Sequence, residues 1–160
     1  RASIGLFPWS VSVQFIENGG DVFHRCGGAL IGDSWIITVA HCVFKRKPKD
    51  MRAHLGNIDW ANEKESFISA IEKIVVHPRF DRQNKSNDIA LMKTKDIVPN
   101  YSENENINNI CLPEENEEFS GKAFVTGWGR DEEDGQVSDI LKALPVNLYD
   151  NSDCKSFYDE

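Results

Sequence analysis

Trp35-Ile36-Ile37-Thr38-Val39-Ala40-His41-Cys42 is the stretch whose reading decides the fold. Its apolar, β-branched first half reads as a buried strand. The strand ends by delivering a histidine and a cysteine side by side. A histidine next to a cysteine at a strand terminus is a candidate general base held in place by a disulfide. Further along, Asn87-Asp88-Ile89-Ala90-Leu91 places a carboxylate at the start of another apolar strand.

Composition bounds the rest. The chain has 160 residues, 40% hydrophobic and 28% charged, enough for a packed core. Its net charge of −8 argues against general nucleic-acid binding, which needs a basic face. No apolar run is long enough to span a membrane, so a soluble segment with no membrane partner is expected. Arg1 opens onto Leu6-Phe7-Pro8-Trp9 with no visible signal peptide, as a processed or clipped product would. Four cysteines, Cys26, Cys42, Cys111 and Cys154, suit an oxidising compartment, and their number leaves three pairings open. Asn84-Lys85-Ser86 and Asn100-Tyr101-Ser102 are glycan acceptor tripeptides in polar stretches, which chance also produces. The acidic runs Glu114–Glu118 and Asp131–Asp134 read as solvated loops.

Short strand signals recur along the chain. Ser10 to Phe15 alternates with period two and runs into Asn18-Gly19-Gly20-Asp21, a hairpin-type turn. Gly28 to Ile31, Trp35 to Val39 and Met51 to Leu55 read as strands. Phe67 to Val76 has some helical spacing, but its β-branched content and the stop at His77-Pro78 favour a strand. Ile89 to Lys93, Lys122 to Thr126 and Leu141 to Tyr149 complete the set. Only the tail from Asn151 to Phe157 is helix-like. Many short strands predict an all-β barrel or sandwich. A polar, turn-prone stretch from Pro99 to Asn109 suggests a boundary between two β-rich halves.

Hydrolysis of an amide by a serine needs a hydroxyl, an imidazole to take its proton, and a buried carboxylate to hold the imidazole. His41 and Asp88 stand in chain order, 47 residues apart, against about 45 in chymotrypsin. The resemblance extends to fragments in family order. Phe7 to Gln14 is similar to a first strand, and Cys26-Gly27-Gly28-Ala29-Leu30-Ile31 to the strand carrying half of a loop disulfide. Cys111-Leu112-Pro113 is similar to the start of a second barrel, and Thr126-Gly127-Trp128-Gly129 to its glycine-aromatic turn. Together they resemble the chymotrypsin-like (trypsin family) serine proteases across nearly the whole chain.

That resemblance implies an all-β, double Greek-key β-barrel with residues 1–107 as the first barrel and 108–160 as an incomplete second. It implies catalytic roles for His41 and Asp88, a Cys26–Cys42 disulfide, a secreted extracellular protein and a polypeptide substrate. Protein protease inhibitors are further candidate partners, as is a light chain or propeptide disulfide-linked through Cys111. Cys154 would pair with a cysteine further on. No cofactor and no metal are expected. The loop after Leu55-Gly56, where some members bind calcium, lacks a first-position carboxylate despite Glu63 and Glu65. A zinc site from His24, Cys26, His41 and Cys42 has poor spacing. His24, His54 and His77 lack catalytic context, and the four tryptophans read as core or loop anchors.

Departures carry information too. Val39 replaces the alanine common at its position, and Arg1-Ala2-Ser3-Ile4-Gly5 replaces the small apolar pair that opens family chains. The family serine lies in Gly-Asp-Ser-Gly-Gly. Here Gly32-Asp33-Ser34 is followed by Trp35 and lacks the glycine that the geometry needs. Chymotrypsin's spacing places the nucleophile near position ~180, so the chain is expected to be a protease fragment, inactive alone. The rival reading is a non-catalytic homologue acting as a secreted binding or adaptor protein.

Overall fold

The computed structural model of the chain describes residues 1–17, 19–130, 132–150 and 152. Eight strands carry the architecture: β1 Ser10–Ile16, β2 Val22–Leu30, β3 Trp35–Thr38, β4 Met51–Leu55, β5 Phe67–Val76, β6 Ala90–Thr94, β7 Gly121–Gly127 and β8 Lys142–Leu148. The first six close a barrel in the order β1-β2-β3-β6-β5-β4, with β4 pairing back onto β1, and every pairing is antiparallel. β7 and β8 form a separate two-stranded sheet.

Alternation explains the barrel interior. Val11 and Val13 of β1 face inward with Ile36 of β3, Met51, Ala53 and Leu55 of β4, and Met92 of β6. Ala40, Cys42 and Val43 of the turn after β3 join this core, as do the loop residues Val98 and Ile107. Ile107 is fully buried, although it lies within a stretch whose sequence reads as a polar boundary. Its neighbours keep hydrogen bonding to the barrel, from Asn108 N–H to the Pro8 carbonyl and from Ile110 N–H to the Leu30 carbonyl.

Two differences from the sequence reading have physical causes. β2 begins at Val22, six residues before the Gly28 to Ile31 strand that the sequence suggests, because Gly27 weakens the strand signal ahead of it. Gly28 is needed there: a Cβ would lie 2.9 Å from Ile36 Cγ2 and 3.0 Å from the Ile37 carbonyl oxygen. A one-turn helix, α1 Ala40–Val43, follows β3, and a 3₁₀ turn spans Pro48–Asp50. Neither is long enough to show periodicity in sequence. The tail helix expected from Asn151 to Phe157, apart from Ser152, and Cys154 lie outside the described residues.

Candidate active site

The barrel's register assembles the site. β3 and β6 are antiparallel neighbours with Thr38 opposite Ala90. The chain just after Thr38 and the chain just before Ala90 therefore lie at the same end of the barrel. His41 occupies the first position, one helical turn beyond β3, and Asp88 the second.

The turn bearing His41 is anchored on three sides. Thr38 Oγ1 donates to the Gly27 carbonyl at 2.8 Å, and Phe44 N–H closes the turn onto Ala40 O at 2.8 Å. Ala40, Cys42 and Val43 are buried. Cys42 is bonded to Cys26 of β2, with their Cα atoms 6.4 Å apart, inside the range that disulfides span. Buried flanks and a covalent tie to the neighbouring strand leave His41 little freedom to drift.

Asp88 grips His41 twice. The ring Nδ1–H donates to Asp88 Oδ2 at 2.6 Å, and the His41 backbone N–H donates to Oδ1 at 2.7 Å. An ionised carboxylate only accepts hydrogen bonds, so its contact fixes the neutral imidazole as the Nδ1–H tautomer. Nε2 is left with its lone pair free. The His41 side chain is 48% exposed and that of Asp88 21%, so the imidazole meets solvent while its partner is more sheltered. Burial alone would raise the Asp88 pKa. The hydrogen bonds from the His41 ring and backbone, with the nearby His41 and Lys85 charges, outweigh that and hold the carboxyl below its ordinary value. The turn entering Asp88 includes Asn87 at φ 55°, whose side-chain amide donates to the Arg79 carbonyl at 2.9 Å.

Two clefts flank the pair. One, of about 390 Å³, is lined by His41 with Phe44, Lys45, Arg46, Phe80, Arg82 and Lys85. The other, of about 430 Å³, runs beside Asp88 between Thr38, Val39 and Ile89 of the barrel side and Thr126 and Trp128. The remaining histidines lie elsewhere. His24 Nδ1 accepts from the Ser12 hydroxyl at 2.8 Å, His54 Nδ1 donates to the Trp60 carbonyl at 2.9 Å, and His77 Nδ1 accepts from Arg79 N–H at 3.1 Å. Glu63 pairs with Arg52 at 2.5 Å. Asn84 and Asn100 are both exposed. Cys111 is exposed and has no disulfide partner among the described residues.

Three features escaped the sequence reading. These are the second hydrogen bond from His41's backbone, the action of Lys85 on Asp88, and the basic lining of the first cleft. The first has no sequence signal, since any residue there has an N–H. The other two were signalled weakly by Lys45-Arg46-Lys47 and Arg82-Gln83-Asn84-Lys85, cationic groups beside the two site residues.

A closed β-barrel presenting a carboxylate-bound imidazole at its rim defines a class, and comparison with known proteins names it. The chain matches the Trypsin family over residues 1–160. It is 36% identical over 165 residues to "Serine proteinase stubble" of Drosophila melanogaster, covering 98% of this chain and 20% of that protein. It is 34% identical over 162 residues to "Venom peptide isomerase heavy chain" of Agelenopsis aperta, covering 98% of this chain and 65% of the relative. The solved structure described as "Structure of GrC" superposes with a TM-score of 0.81 at 26% identity, over 98% of this chain and 67% of that one. The chain belongs to the trypsin family. Its fold is the all-β, trypsin-like one, with the first barrel closed and the second incomplete.

Proposed function

We propose that residues 1–160 are part of a secreted serine-type endopeptidase in which His41 is the general base and Asp88 holds and charges-balances it. The observation that carries this reading is the two-point grip of Asp88 on His41. Family membership sets the fold without selecting the reaction, since one relative is named a peptide isomerase and another a serine proteinase. The protease reading rests on the geometry of the pair.

The chemistry follows from the tautomer. With Nδ1–H committed to Asp88, Nε2 accepts the proton of a serine hydroxyl as its oxygen bonds to the substrate carbonyl carbon. Asp88 stabilises the imidazolium so formed. Nε2–H then protonates the leaving amine as the C–N bond breaks, and the same base activates water to release the acyl group. The serine is assigned to the sequence after Glu160. The substrate is a polypeptide, and protein protease inhibitors would enter the same clefts. The Cys26–Cys42 disulfide supports an oxidising, extracellular setting. Exposed Cys111 is a candidate link to a light chain or propeptide. Among the described residues no helix is long and apolar enough to cross a membrane.

The test compares the complete protein with residues 1–160 alone, using a mixed peptide library and a serine-directed covalent inhibitor. The complete protein is expected to cleave peptides and to be labelled, and residues 1–160 to do neither. Serine-dependent turnover by residues 1–160 would place the nucleophile within them and overturn the assignment. A folded, activated complete protein that neither cleaves nor labels would identify a non-catalytic homologue.

A further inference from the structure

The cleft beside His41 carries a charge opposite to that of the chain. Lys45, Arg46, Arg82 and Lys85 line it, and among the described residues no carboxylate does. The whole protein has 26 acidic against 18 basic residues. None of these four cations has an ion-pair partner among the described residues. The floor is aromatic: Phe44 and Phe80 meet edge to face with centroids 5.5 Å apart. Lys45 Nζ lies 5.4 Å from the Phe44 ring centroid. The Arg46 guanidinium lies 4.8 Å from the ring of Phe15, which belongs to a neighbouring cleft that Glu17 and Asp50 also line. Those contacts steady the cations without neutralising them.

The backbone adds an independent observation. Lys45 and Lys85, from two different loops that line the cleft, both adopt left-handed conformations, each at φ 61°. Lysine is disfavoured there relative to asparagine or glycine. Strain of this kind persists where the surroundings impose it, and it clusters at functional sites.

We infer that this cleft is a specificity subsite that takes an acidic side chain, glutamate or aspartate, of a peptide bound across His41. The inference rests on the proposed peptidase reading of His41 and Asp88 and adds the substrate's charge to it. The aromatic floor would receive the side-chain methylenes and the surrounding cations the carboxylate. An extended peptide advances about 3.3 Å per residue. A cleft that shares His41 with the reaction centre therefore reads a position within about three residues of the cleaved bond. A sulfated polysaccharide would also be drawn to cations, but a cleft of about 390 Å³ with Phe44 and Phe80 beside the imidazole suits a single side chain better than a continuous polyanion.

The test reads binding, so that it stands apart from turnover. Capped hexapeptides carrying one glutamate at each position in turn, with glutamine and lysine counterparts, are titrated against the complete protein at low and high salt. Glutamate at one or two positions is expected to bind about 5-fold tighter than glutamine, about 1 kcal/mol, with the preference fading at high salt. The double variant Arg82→Gln/Lys85→Gln should abolish the preference, whereas Lys122→Gln on β7 should leave it intact. Lys85→Asn should weaken it while the thermal midpoint holds or rises, because asparagine accepts the left-handed backbone. Three results would overturn the inference: equal binding of glutamate and glutamine peptides, a preference that survives the double variant, or tighter binding of a heparin oligosaccharide than of any glutamate peptide. If glutamate is selected but no peptide is cleaved, the peptidase reading fails while the acidic subsite stands.

Discussion

The six-stranded barrel and the β7–β8 sheet have similar strand lengths and opposite surroundings. Every barrel strand has a neighbour on both sides, so its backbone groups are paired and its apolar face is enclosed. In the sheet, adjacent residues Phe124 and Val125 are 62% and 59% exposed. Neighbouring side chains on a strand point to opposite faces, so both faces stay largely open, apart from contacts such as Phe7 with Phe124 at 6.0 Å between ring centroids. Leu144 of β8 is 63% exposed in the same way. What orders the second region is its attachment to the first. Trp128 is buried and its indole N–H donates to the Ile58 carbonyl at 2.7 Å, Leu141 N–H reaches the same carbonyl at 2.8 Å, and Ala2 packs with both residues. The contrast teaches that closure, more than strand composition, makes one half self-sufficient. The barrel can hold a two-point hydrogen bond at its rim because everything behind the rim is fixed.

The largest expected effect comes from removing chemistry at that rim. In the complete protein Asp88→Asn should lower kcat by about 10⁴-fold, since an amide can donate as well as accept and no longer enforces the Nδ1–H tautomer. Peptide hydrolysis rates check this, alongside circular dichroism showing an unchanged barrel. A loss below about 10-fold would mean that Asp88 does not orient the base. Next comes a pair of truncations placed on either side of the contrast. Met92→Ala, fully buried in β6, should cost about 2–5 kcal/mol. Phe124→Ala, which loses only its ring contact with Phe7, should cost no more than about 1.5 kcal/mol in residues 1–160. Denaturant unfolding of both variants would break the contrast if Phe124 proved the costlier loss.

Much of the barrel was legible because its strands alternate and its turns announce themselves. Met51–Leu55 and Phe67–Val76 coincide with β4 and β5 residue for residue. Legibility failed where tertiary contact overrides local preference. Gly27 conceals the first part of β2, before Gly28, where the close approach of Ile36 requires a glycine. Ile107 is an apolar residue in a polar stretch, and only the closed barrel shows that it fills the core. His41 and Asp88 could be singled out by neighbours and chain order. The basic cleft could not, since its cations come from two loops that meet only in three dimensions.

A smaller effect is expected from Gly28→Ala, about 1–3 kcal/mol, the range for overpacking a filled interior. The clash falls on Ile36 and on the Ile37 carbonyl, and the latter is backbone and cannot turn aside. Gly27→Ala, with open space around its Cβ position, is the matched control and should be much milder. Thermal denaturation of the two variants separates close approach from loss of glycine's flexibility. Equal effects would remove the packing explanation.

The smallest expected effect concerns the join between the two regions. His24 of β2 accepts from Ser12 within the barrel and packs against the Trp128 ring at 5.0 Å. Beside it, Arg52 Nε fixes the Gln14 side-chain oxygen at 2.7 Å, which turns the Gln14 amide nitrogen towards the Trp60 carbonyl. His54 Nδ1 donates to the same carbonyl, and His54 Nε2 is buried without a partner among the described residues. Burial lowers the pKa of His24 to about 4 and also lowers that of His54. The unfolded chain therefore binds more protons than the folded one between about pH 6.5 and 4. Stability is full above that window and falls as the pH drops through it. With allowance for the partial solvent contact of His24, the loss is on the order of 1–2 kcal/mol. Denaturant midpoints at pH 7.5 and 4.5 should differ in that direction, and His24→Gln should shrink the difference. Because His24 touches Trp128, acid should also shift tryptophan emission before the barrel unfolds. A flat stability profile from pH 7.5 to 4.5, or an undiminished slope in His24→Gln, would place the acid sensitivity elsewhere than at this join.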